Sequence, residues 1–290
     1  MRSEGERSTA ERDVEQENGG VEGEDLALLA RSRDWHDRRR VAWNPCTPQE
    51  VLRPLARDGV QWVREAVAGN TRSPQELLLA LSEDSSGFVR AAVALNCQTS
   101  AEVLEMLAGD EMVDYDVALG KNRYLVKEAV AKNQNINSET LAYLARDPDE
   151  HVRAAAASNP LMASDLIARL VKDVSWLVRN NIARNPATPE DLLAALSADR
   201  IQDVRITAAT NPRTPATALT ALASERSWEI REAVARNPNL EDEALEELSR
   251  HWSWKVREAV AQNPKAAREI LERLAEDMDQ SVQKAAQSRL

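Results

Sequence analysis

Residues 185–211 read NPATPEDLLAALSADRIQDVRITAATN, a stretch that opens and closes on asparagine. Thr188 ahead of Pro189, followed by Glu190 and Asp191, offers an N-cap hydroxyl, a proline at the first helical position and negative charge for the helix dipole. A helix therefore starts there, and Leu192, Leu193 and Leu196 give it an apolar stripe, each leucine worth roughly 1.5–3 kcal/mol when buried. After Asp199 a short turn leads into a second helix carrying Val204, Ala208 and Ala209, which stops at Asn211-Pro212 because proline cannot continue it. The second helix is expected to be short and partly 3₁₀. No segment of the chain carries the alternating β-branched pattern of a strand.

The bounding asparagine recurs every 26 residues at Asn44, Asn70, Asn96 and Asn122, and again at Asn133, Asn159, Asn185, Asn211, Asn237 and Asn263. A fixed period of this length marks a solenoid whose units bury their apolar faces against their neighbours. Columns that stay constant among the units must serve stacking. Two residues before the asparagine stands Ala or Gly; in most units Val or Ile stands seven before it, Arg or Lys six before it, and Asp or Glu twelve before it. The acid and the Arg six residues later predict a charge-assisted ladder between turns and neighbouring units. The asparagine is expected to satisfy orphan groups at a helix C-terminus, in the left-handed conformation it tolerates. The fold class is thus all-α: an α-α superhelix of about ten two-helix repeats over residues 26–290, behind an acidic tail over 1–25. That tail holds nine acids against three arginines and little to bury, so it is expected to be disordered.

Units such as VRNNIARNPATPEDLLAALSAD (178–199) and IREAVARNPNLEDEALEELSRHWSWK (230–255) resemble the leucine-rich repeat variant family, and more distantly HEAT and armadillo-like repeats. The resemblance spans about 26–290 and implies a right-handed superhelix of alternating α and shorter, 3₁₀-like helices without a sheet. It implies no cofactor here, since the N-terminal cysteine cluster of the family's founding type has no counterpart.

The spacing slips from 26 to 11 between Asn122 and Asn133, which predicts a unit that lost its leucine-bearing helix, with two second-type helices in succession near 110–133. Asp114 and Asp116 stand in that break, Asp116 in the column of the Arg. They make it a candidate hinge or docking notch. Tryptophan recurs nine before the asparagine at Trp35, Trp176, Trp228 and Trp254, and with Trp252 three of these form a candidate aromatic edge. Five and eight before the asparagine, acids such as Glu65 alternate with Trp62 and Phe88, a mixture suited to a protein partner with basic segments. Arg38, Arg39 and Arg40 in the first unit are the one place for an anionic partner.

A net charge of −11 opposes general affinity for nucleic acid. Cys46 and Cys97 have neither metal nor disulfide spacing and read as reduced structural thiols. His36 and His151 share a column several units apart, while His251 replaces an acid of the ladder. No catalytic, cofactor-binding or metal-binding residue is nominated. The expected function is a non-enzymatic, cytoplasmic, monomeric scaffold for another protein, without membrane contact; the alternative is a HEAT-like nucleic-acid binder using the arginine-rich first unit.

Overall fold

The computed structural model describes residues 23–116 and 121–290. The acidic tail expected over 1–25 lies outside them as far as Glu22. Among the described residues twenty helices alternate as first and second members of ten pairs. The first helices are α1 (Gly23–Leu29), α3 (Gln49–Leu55), α5 (Gln75–Leu81), α7 (Ala101–Ala108), α9 (Ser138–Leu144), α11 (Ser164–Leu170), α13 (Glu190–Leu196), α15 (Ala216–Ala223), α17 (Asp242–Leu248) and α19 (Arg268–Leu274). The second helices are α2 (Trp35–Trp43), α4 (Gln61–Gly69), α6 (Gly87–Leu95), α8 (Leu125–Lys132), α10 (Glu150–Ala157), α12 (Trp176–Arg184), α14 (Gln202–Thr210), α16 (Trp228–Arg236), α18 (Trp254–Gln262) and α20 (Gln280–Gln287). All are α-helical; the first helices have seven or eight residues and the second eight or nine, so the second member is not the shorter one.

Two compact blocks divide the chain after Leu144. Within each, a second helix packs most extensively against the second helix of the next repeat. The periodic columns explain why. Val63, Val89, Val178 and Val204 are fully buried, as are Ala68, Ala94, Ala183 and Ala209, where only a methyl group lets the helices approach. On the first helices Leu78 and Leu81, or Leu193 and Leu196, fill the core, while Leu192 is only half-buried.

The asparagine rungs join repeats. The asparagine ends its second helix in extended rather than left-handed backbone, with φ of −71° at Asn70 and −65° at Asn185, except before Asn159, where Ser158 is the cap. That conformation frees its amide to reach backwards. Nδ2 of Asn70, Asn96, Asn185, Asn211, Asn237 and Asn263 donates to carbonyls 28 and 26 residues earlier, at 2.6–2.8 and 2.8–3.3 Å. The first is an orphan carbonyl at the end of the preceding second helix and the second, on the preceding asparagine, also accepts a turn amide, so the side chain serves the neighbour's C-terminus. Its Oδ1 accepts the amide two residues on, as Ala187 donates to Asn185 at 2.8 Å. At position 289 an arginine makes the same rung, Nη1 donating to the carbonyls of Ala261 (2.9 Å) and Asn263.

Thr188 acts differently from the expected N-cap. Its hydroxyl donates to the Ile182 carbonyl at 2.6 Å, sealing the helix before it, and Pro189 is the cap residue without a side-chain bond. Cys46 and Cys97 are exposed, so neither packs the core.

Between Asn96 and Asn133 the repeat is lengthened rather than truncated. Asn133 donates to the carbonyls of Ala94 and Asn96 at 2.7 and 3.0 Å, so it is the rung that follows Asn96. No helix is lost: α7 and α8 form one pair. Eleven extra residues in their turn supply an antiparallel hairpin, β1 (Asp114–Asp116) with β2 (Lys121–Arg123), pairing Asp114 with Arg123, Tyr115 with Asn122 and Asp116 with Lys121. This overturns the two second-type helices expected there, and Asn122 is a strand residue instead of a rung. The column of the Arg passes to Lys127.

Candidate interaction surfaces

The acid–arginine columns form a bidentate ladder. In Arg38–Asp58, Arg64–Asp84, Arg90–Asp110, Arg153–Asp173, Arg179–Asp199, Arg205–Glu225 and Arg257–Asp277, Nε lies 2.5–2.8 Å from a carboxylate twenty residues on. Nη2 meets the second carboxylate oxygen, and Nη1 donates to the carbonyl six residues before the arginine, as in Arg179 to Asp173 at 2.8 Å. One fork thus holds two turns. The paired Arg38 guanidinium draws Asp58 below the usual carboxylate range against the effect of burial, and Arg257 does the same to Asp277. Arginines so engaged are architecture.

That accounts for Arg38. Arg40 is engaged as well, and Arg39 is half-buried near Glu65. The three do not form a free basic row.

Positions eight, five and one before the asparagine fall on one face of a second helix. In the N-terminal block this face carries Trp62 and Phe88, 37% and 40% exposed with ring centroids 5.7 Å apart. Trp43 and Leu95 are exposed on the same face. Gly69 makes room for the indole: a Cβ there would stand 3.0 Å from Trp43 Cζ3. Beside these rings Glu65 keeps Oε2 buried without a hydrogen-bond partner. Burial raises its pKa, opposed by Arg39. Sequence reasoning singled out Trp62, Phe88 and Glu65 but missed Trp43 and Leu95, which a column one before the asparagine would have revealed.

On the first helices, Leu79 and Met106 are exposed over a shallow groove of about 570 Å³ whose lining includes Glu76 and Glu102. This too was missed. The signal was available, since other units carry Arg53, Thr220 or Glu246 in the column of Leu79. Asp114 and Asp116 lie in β1, where the register sets them opposite Arg123 and Lys121; their side chains fall outside the described residues.

In the C-terminal block, Lys255 Nζ sits 4.5 Å from the Trp228 ring centroid and 5.8 Å from that of Trp254, joining two members of the expected aromatic edge. Trp252 is 77% exposed beside the His251 ring, at 5.3 Å between centroids. Trp176 is exposed at the start of α12 and makes no ring contact among the described residues. No group of three or more His, Cys, Asp or Glu able to hold a metal ion occurs among the described residues, nor any helix long and apolar enough to cross a membrane.

Fold and repeat together define the class: a helical-repeat solenoid. Residues 228–251 and 254–279 match the family model described as leucine rich repeat variant. The chain is 23% identical to a solved structure described as a leucine-rich repeat variant with a novel repetitive protein structural motif, at a TM-score of 0.53, covering 81% of this chain and 88% of that one. It is 18% identical to the solved E. coli protein YibA over 100% of this chain and 99% of that one, at a TM-score of 0.41 that carries no argument. A search of curated proteins finds no match. Likeness at these identities shows the fold alone.

Proposed function

We propose that the chain is a non-enzymatic scaffold that binds another protein through the outward face of its second helices. The observation that carries this reading is the row Trp43, Trp62, Phe88 and Leu95, exposed aromatic and aliphatic groups on successive second helices packed against one another. Aromatics of this kind dominate binding energy when a partner covers them. Glu65 adds a preference. A buried carboxylate oxygen without a donor is costly, and a cationic side chain from a partner would satisfy it. The partner is therefore a protein segment with basic and apolar residues. Nucleic acid gains no support from the first repeat, because the Arg38 fork already holds Asp58.

The test compares affinity capture from native extract by the wild-type chain and by a folded Trp62→Ser/Phe88→Ser variant. Loss of the same captured protein, with unchanged circular dichroism, is expected. An identical captured set from both chains would refute the reading.

A further inference from the structure

Arg231 departs from the other ladder arginines. Its counterpart twenty residues on is His251, and among the described residues no carboxylate lies within ion-pair distance of it. The guanidinium is turned as a result. In the seven bidentate rungs Nη1 takes the carbonyl six residues back, leaving the Nε–Nη2 edge for the acid. In Arg231 it is Nε that donates to that carbonyl, of Glu225, at 2.6 Å. Both Nη groups of this half-buried side chain are left without a partner among the described residues. The nearby acids are already engaged: Glu225 by Arg205, Glu232 by Arg236, and Glu229 by Ser227.

His251 reproduces only half of what the acid does elsewhere. Its Nδ1 accepts the Ser253 amide at 3.1 Å, as Asp277 accepts the Asp279 amide at 2.9 Å. A neutral imidazole accepting at Nδ1 carries its proton on Nε2, so it offers Arg231 a donor and no acceptor. Burial, then Arg231 and Arg257, hold the ring below its usual pKa and keep it neutral. The region of Arg231 and His251 is thus rich in donors, is flanked by the exposed Trp252 indole, and lacks the oxyanion found in every neighbouring rung.

We propose that Arg231, with the donor edge of His251 and the Trp252 ring, forms a binding site for an oxyanion presented by another molecule, either a carboxylate or a phosphate on a peptide, which completes the ladder in trans. The proposal deepens the protein-binding reading, since it requires a partner to carry the anion, but it uses residues of the C-terminal block only.

Arginine side-chain NMR on the full chain tests it, with acetate or inorganic phosphate titrated at constant ionic strength. The Arg231 resonance is expected to shift saturably, at an anion concentration about tenfold below that needed to move the exposed Arg57. His251→Asp supplies the missing carboxylate in cis and is expected to weaken the response at least about tenfold, whereas His251→Asn, which keeps a neutral amide donor in place of the imidazole Nε2–H, should weaken it less than His251→Asp does. Stronger binding of phosphate than acetate assigns the site to phosphorylated segments, and the reverse to Asp or Glu side chains. An Arg231 shift no greater than that of Arg57, or equal in wild type and His251→Asp, overturns the site. Loss of partner capture in Trp62→Ser/Phe88→Ser with an intact anion response would sink the surface reading and leave this one standing.

Discussion

A single amide decides how firmly one repeat holds the next. Asn211 is buried, and its Nδ2 is shared between the carbonyls of Ala183 and Asn185 while Oδ1 accepts from Arg213. Alanine at this position leaves the Ala183 carbonyl without a donor and the Arg213 amide without an acceptor, at about 1–3 kcal/mol each, while the Asn185 carbonyl keeps the Thr188 amide. Asn211→Ala should therefore lower the unfolding free energy by about 3 kcal/mol in urea titration, and a loss below about 1 kcal/mol would show that water replaces the amide at little cost. The column of asparagines was legible from spacing alone. Its conformation was not, because the sequence pattern cannot tell whether an asparagine side chain serves its own helix end or the carbonyls of a neighbour 26 residues away.

The hairpin between α7 and α8 shows the same limit at the scale of elements. An 11-residue interval between Asn122 and Asn133 suggests a deletion when counted from Asn122, yet Asn133 bonds to Ala94 and Asn96 and the register continues around an insertion. Asn122 fell on the period by position while its backbone pairs in a strand. Met112 still donates its amide to Asp110 at 2.9 Å, as Ser86 does to Asp84, so the ordinary turn persists up to the point of insertion. Excising Val113–Arg123 should then join two intact halves of a standard repeat. The shortened chain is expected to keep its helical circular dichroism and to unfold with a midpoint within a few degrees of the parent, since long surface insertions contribute little to stability. A collapse of cooperativity would mean that the hairpin is part of the core. Of the candidate surfaces, those made of apolar residues in polar columns could be read directly. The turned Arg231 fork could not, because a substitution at His251 reveals a missing acid but not the direction its partner then takes.

For the molecule as a whole, the ladder sets the response to acid. Carboxylates such as Asp58 and Asp277 are held below their ordinary value of 3.8 chiefly by Arg38 and Arg257, so the stability they contribute is present above that value and is lost as pH falls through it. His251 is a base held below its ordinary 6.5 chiefly by burial, so protonation favours the unfolded chain and stability begins to fall as pH drops through that value. Thermal unfolding followed from pH 8 to pH 3 should accordingly show a shallow decline beginning near 6.5 and a steep one below 3.8. His251→Asp should abolish the first limb alone, and a wild-type midpoint constant between pH 7 and pH 5 would contradict the assignment.

The asparagine rungs all point the same way, from each repeat to the one before it, and this gives the chain a direction in time. During synthesis the carbonyls of Ala183 and Asn185 emerge first, and their donor on Asn211 follows 26 residues later. At ordinary elongation rates of about 5–20 residues per second, each helix end waits on the order of seconds for its closing bond. A nascent repeat is sealed one repeat late, and the ribosome always carries one unsealed edge.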